Sequence, residues 1–115
     1  MLTYQGLEER LRKALLDPAT RLKLHVLNAE TLAWVEYEGR KVEVALDPMR
    51  GGLIECVVHE LLHAVMRTEL ARWGEFEECI VLAVERELVH QINSSRRRVQ
   101  WWRKAIDGKL TKEGR

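Results

Sequence analysis

Residues 53–70 constrain the fold more than any other stretch of this chain. Leu53, Ile54, Val57, Val58, Leu61, Leu62, Ala64 and Val65 recur at helical spacing and cover most sides of the helix they predict. A helix that is apolar around most of its circumference belongs at the centre of a domain, packed on a sheet and on other helices. This one also contains His59, Glu60 and His63. Two imidazoles and a carboxylate are expensive to bury unless a metal or hydrogen bonds compensate them. The fold must therefore bring compensating groups to this helix.

The spacing indicates what those groups are for. His59 and His63 are four residues apart, so a helix puts them on one face, one turn apart, where both can reach a single ion. Zinc binds neutral imidazole and commonly has three protein ligands plus a water in catalytic sites. Glu60, beside the first histidine, can face that water and take its proton once the metal has lowered the water's pKa toward roughly 7. The pattern H-E-x-x-H thus writes a mechanism at fixed spacing.

A third ligand has to come from elsewhere, because no third histidine follows at short spacing. Trp73-Gly74 ends the first helix, and residues 75–92 predict a second. Ile80, Val81, Val84, Leu88 and Ile92 form its core-facing stripe, and Glu75, Glu77 and Glu78 lie in its first turn, where the helix dipole favours negative charge. Returning antiparallel to the first helix, it offers Glu77, Glu78 and Glu85. Glu78 heads the apolar run 79–83 and is the natural candidate. Glu77 is the runner-up, and Glu85, two turns on from Glu78, is also available or can instead support a ligand from behind.

The remaining pattern supplies a small α+β domain. Leu7, Leu11, Ala14 and Leu15 predict an amphipathic helix over 4–16, ended by Asp17-Pro18 because the residue before proline avoids helical geometry. Leu22, Leu24 and Val26 alternate with Lys23 and His25 as in a half-buried strand. Asn28-Ala29-Glu30 reads as a turn. Residues 32–37 and 40–46 read as two more strands joined by a hairpin turn at Glu38-Gly39, with Val42, Val44 and Leu46 on one face. Asn93-Ser94-Ser95 interrupts the second long helix, and a basic amphipathic helix follows to about Ile106 with Val99, Trp102 and Ile106 as its apolar side. The expected organisation is one domain over 1–107 and a flexible basic tail over 108–115.

At residues 31–92 the chain resembles the gluzincin side of the zincin metallopeptidases: a hairpin, then HELLHAV, then a helix opening with EFEECIVLAV. It is most similar to the small metallopeptidases common in phages and prophages, whose HELLHA precedes a Glu-Glu pair leading an apolar helix. It is more distantly similar to the ImmA/IrrE-type regulatory peptidases. The resemblance implies a zincin-like fold, with an N-terminal helix, a three-stranded mostly antiparallel sheet, a central HExxH helix, a ligand-bearing helix and a basic C-terminal helix. It implies His59, His63 and Glu78 as zinc ligands and Glu60 as general base of a zinc-dependent peptidase; the layout of the elements, taken separately, suggests an extended peptide along an exposed strand edge of the sheet. Two features depart from the larger gluzincins. Leu82 stands where an acidic residue often orients a histidine, and no residue at a matching position stabilises the oxyanion, leaving His90, Arg86 and Tyr37 as candidates.

Composition decides smaller questions. Cys56 and Cys79 belong to no C-x-x-C motif and read as two buried thiols in a reducing compartment, with Cys56 a small hydrophobe rather than a ligand. His25 falls on the polar side of its strand and reads as a surface residue. Trp73 reads as packed at the bend. No signal peptide or span of roughly 20 apolar residues is visible, so the expected location is the cytoplasm. Eight Lys/Arg against Asp107 and Glu113 give residues 96–115 a charge of +6, which leaves −5 for residues 1–95 of a chain whose total is +1. Arg96-Arg97-Arg98 with Trp101-Trp102-Arg103-Lys104 is the one hint of nucleic-acid contact. A solvated helix face packed by its tryptophans is the simpler reading, since no nucleic-acid fold motif accompanies it. The alternative to a peptidase is a catalytically idle zinc module that binds protein or nucleic acid as a regulator.

Overall fold

A threonine hydroxyl starts the described chain: Thr3 accepts from the Gly6 amide at 3.0 Å and caps helix α1 (Tyr4–Leu16). Asp17 ends that helix in an extended conformation ahead of Pro18, and its carboxylate accepts from the Ala19 amide at 2.8 Å to turn the chain into a strand. The computed structural model describes residues 3–24, 33–39, 41–47 and 52–114. His25 and the turn at 28–30 lie outside them.

Three strands follow: β1 (Thr20–Leu24), β2 (Ala33–Glu38) and β3 (Lys41–Leu46). Gly39 takes φ 59° in the turn after β2, a conformation that strains residues with a side chain. The strands lie in the order β1-β3-β2. β2 pairs antiparallel with β3, from Glu38↔Lys41 to Ala33↔Leu46, whereas β1 pairs parallel with β3, from Thr20↔Val42 to Leu24↔Leu46. The sheet is therefore mixed and not mostly antiparallel. Alternation fixes which face of a strand is buried; it carries no information on which neighbour the strand takes.

The register assigns the faces. Thr20, Leu22, Val42, Val44, Leu46, Ala33, Val35 and Tyr37 share the side that meets the helices, while Lys23 and Glu43 pair at 3.1 Å on the other. β1 begins two residues earlier than its alternation suggests, and Leu24 at the far end of the strand is exposed.

The central helix α2 (Leu53–Val65) packs on β2 and β3 and buries Ile54, Val57, Val58, Leu61 and Leu62. It breaks at Met66, and a single turn, α3 (Arg67–Leu70), leads into a tight 3-10 segment (Ala71–Phe76). Gly74 (φ 50°, ψ −116°) kinks that segment and leaves it wholly exposed, so Trp73 is 51% accessible rather than packed. Helix α4 (Glu77–Asn93) returns against α2 and buries Val81, Leu88, Val89 and Ile92.

Helix α5 (Arg96–Gly114) packs on β1 and α4. It runs past the expected end at Ile106 because Leu110 continues the buried row of Trp102 and Ile106 at a spacing of four. Lys109 Nζ also donates to the Asp17 carbonyl at 2.7 Å. Residues 108–114 are therefore helix, and the segment is docked at least through Leu110.

Trp102 is completely buried, and its indole Nε1–H donates to Glu8 Oε2 at 3.1 Å. Arg98 also pairs with Glu8, joining α5 to α1, and Arg12 pairs with it from one turn along α1. Burial raises the Glu8 pKa, but the hydrogen bonds from Arg98, Trp102 and Arg12 outweigh it and hold the carboxyl below its usual range. Arg12 also covers the Trp101 ring at 4.3 Å. Of the two free cysteines, Cys56 is half-buried and Cys79 is exposed, so only one thiol is sheltered. No helix among the described residues is long and apolar enough to cross a membrane.

Candidate metal centre

Four-residue spacing on α2 brings His59 and His63 together, with ring centroids 5.1 Å apart and planes at 68°. Both rings sit at the border of the buried face. The antiparallel return of α4 then lays its first turn over them. Glu78 meets both histidines at once: its Oε1 lies 2.8 Å from His59 Nε2 and its Oε2 lies 3.0 Å from His63 Nε2. Ligand atoms of His59, His63 and Glu78 lie within 4.8 Å of one another.

The opposite ring nitrogens are also engaged. His59 Nδ1 lies 2.9 Å from Glu85 Oε1, and His63 Nδ1 lies 2.6 Å from Glu77 Oε2. A carboxylate accepts and does not donate, so each of these four contacts needs an N–H or a cation between the ring nitrogen and the oxygen it faces. With carboxylate-supported imidazoles and one anionic oxygen ligand, the donor set fits zinc.

Of the three acidic candidates, Glu78 takes the shared position. Glu77 and Glu85 take supporting ones behind His63 and His59. Glu85, three residues after Leu82 on α4, is the carboxylate that meets His59 Nδ1. The supporting residues come from the same helix as Glu78, so α4 determines the orientation of both imidazoles.

Glu60 is 7% accessible, and its Oε1 lies 3.9 Å from His59 Nε2. Burial raises its pKa. His59 and His63 offset part of that rise, and the Glu78 charge adds to it. The glutamate is thus a buried carboxyl held above its usual range next to the histidine nitrogens. Glu78, by contrast, has a side chain 57% accessible, so the centre opens to solvent on the α4 side.

Tyr37 approaches from β2, the sheet edge beside α2. Burial pushes its phenol up to about 12; the charges of Glu77 and Glu60 add to this and Arg67 opposes it. The hydroxyl therefore stays protonated at neutral pH and available as a donor. Arg67 stacks its guanidinium 4.6 Å from the centre of the Tyr37 ring. Sequence reading overlooked Arg67; the available signal was its place one turn beyond His63. Arg86 and His90 are exposed and make no hydrogen bond or ion pair with these residues. Cys56 is outside the ligand cluster, and burial raises its thiol, with smaller contributions from Glu55, Glu60 and Glu85.

Among the described residues, a cavity of about 460 Å³ is formed away from this centre where the start of α2 meets α5, and another of about 400 Å³ lies between α1 and the α4–α5 junction. No family model, curated protein or solved structure matches the chain.

Proposed function

We propose that this chain is a zinc-dependent peptidase of the gluzincin kind, with His59, His63 and Glu78 holding the metal and Glu60 as general base. The observation that carries this reading is the double engagement of both histidines: each Nε2 faces the single Glu78 carboxylate, and each Nδ1 is held by a carboxylate of its own. A salt-bridge cluster built for stability has no need to place two imidazoles between three carboxylates with a fourth, Glu60, buried beside them.

When bound, a zinc ion supplies a Lewis acid that polarises a carbonyl and acidifies water. The chain's own groups do the rest. Glu60, raised by burial, accepts the proton of the attacking water and passes it to the nitrogen of the departing amine. Glu77 and Glu85 keep the imidazoles in one tautomer throughout. Tyr37 offers a neutral O–H at the edge strand, where an extended peptide can add main-chain hydrogen bonds to β2.

Two measurements test the reading together. Metal analysis of the purified protein should return near one zinc per chain. A library of quenched fluorescent peptides should be cleaved by the wild type and not by Glu60→Gln, while the zinc content of that variant stays unchanged. Zinc without cleavage of any peptide would leave an idle zinc module; absence of zinc after incubation with the metal would end the proposal.

A further inference from the structure

The face of α5 that the fold leaves in water carries charge that nothing in the metal centre uses. Arg98 is committed to Glu8, and Lys109 to the Asp17 carbonyl. Arg96, Arg97, Arg103 and Lys104 are instead exposed, and they make no ion pair among the described residues. They lie along about 12 Å of helix at the usual rise per residue. Asp107 is the one acidic residue on that stretch and is already engaged. Four neighbouring cations with no ion pair among the described residues repel one another, so the stripe is not there for helix stability.

We propose that this face of α5 is a docking surface for the phosphate backbone of duplex DNA, separate from the metal centre.

The surroundings select among polyanions. Single strands are gripped by exposed aromatic rings, but Trp102 is fully buried and Trp101 lies half-buried under Arg12. An anionic membrane takes a basic helix whose apolar side is free to insert, whereas the apolar side of α5 is spent on the core through Trp102, Ile106 and Leu110. What remains is a charged convex helix face, which suits the wide major groove and flanking phosphates of B-form DNA. The deep, narrow major groove of A-form RNA does not admit it. Residues 1–95 carry a net charge of −5, so the α5 region is the cationic part of the chain that a polyanion meets most favourably.

Fluorescence anisotropy with a labelled 20-base-pair duplex tests this. Four phosphate contacts predict micromolar to sub-millimolar affinity near 0.15 M salt, and a slope of log affinity against log salt of about −3.6, or about 100-fold weakening from 50 to 200 mM. Replacing Arg96, Arg97, Arg103 and Lys104 together with Gln, a good helix former, should abolish binding with the circular dichroism spectrum unchanged. Replacing the three arginines with Lys should retain most of it. His63→Ala should bind DNA as the wild type does, which separates this surface from the metal reading. Binding that survives the Gln variant would overturn the proposal. So would equal or tighter binding to single-stranded DNA, duplex RNA or phosphatidylserine vesicles, or no duplex binding at 50 mM salt.

Discussion

Glu8 and Glu60 are both glutamates in the interior of a helix, 5% and 7% accessible, and the chain treats them in opposite ways. Glu8 is surrounded by donors: Arg98, Trp102 and Arg12 all point at one carboxylate, whose pKa falls below the usual range despite its burial. Glu60 has no such escort. Around it Glu77, Glu78 and Glu85 converge on two imidazoles, and its pKa rises. One network closes its charges internally and joins two helices. The other gathers the oxygens of three carboxylates around two imidazoles. Burial alone does not set the pKa of a carboxylate; the surplus or deficit of donors around it does.

The largest effect should come from breaking the closed network. Trp102→Ala removes a wholly buried indole and a donor to Glu8, and should cost about 3–5 kcal/mol in urea or thermal unfolding. The open network should respond to metal instead. At free zinc about a thousand times its dissociation constant, the wild type should gain about 4 kcal/mol of stability, and His63→Ala should gain none. If Trp102→Ala abolished zinc uptake in a protein that still folds, the two networks would not be the separate units described above.

A smaller effect separates the ligand from its supports. Glu85→Gln keeps the shape behind His59 but loses the charge, and should weaken zinc binding about 10–100-fold, as should Glu77→Gln behind His63. Competition titration with a zinc indicator measures this. Equal loss in Glu78→Gln and Glu85→Gln would erase the distinction between them.

Much of this contrast was legible in the sequence, and the reason differs by region. His59, Glu60 and His63 sit on one continuous helix, so their relation is set by helical geometry alone. Glu78 was within reach because α4 follows α2 closely and must return along it. The division of labour among Glu77, Glu78 and Glu85 depended on the rotation of α4 against α2, which spacing does not specify. The Glu8 network was invisible, since it joins residues 90 and 94 positions apart in the chain. Trp73 misled because bulk was taken as a sign of burial, and large apolar groups often remain exposed. The parallel β1–β3 pairing was missed because alternation is the same for either strand direction.

The finest test of the comparison is in acid. Glu8 has a lowered folded pKa, so its contribution to stability is complete above its unfolded value, near 4.5, and is lost as pH falls through the lower folded value. Unfolding free energy should therefore decline below about pH 4.5, and in Glu8→Gln that decline should be shallower, because Gln does not titrate. Glu60 has the opposite sign. Its raised folded pKa means that ionising it opposes the metal-free fold, so in the absence of zinc Glu60→Gln should lose less stability than the wild type as pH rises from below 4.5 through the raised value. Urea midpoints of the three metal-free proteins across that range measure both. If both variants shifted the acid limb in the same direction, donor count would not be what separates the two glutamates, and burial would have to be reconsidered as the common cause.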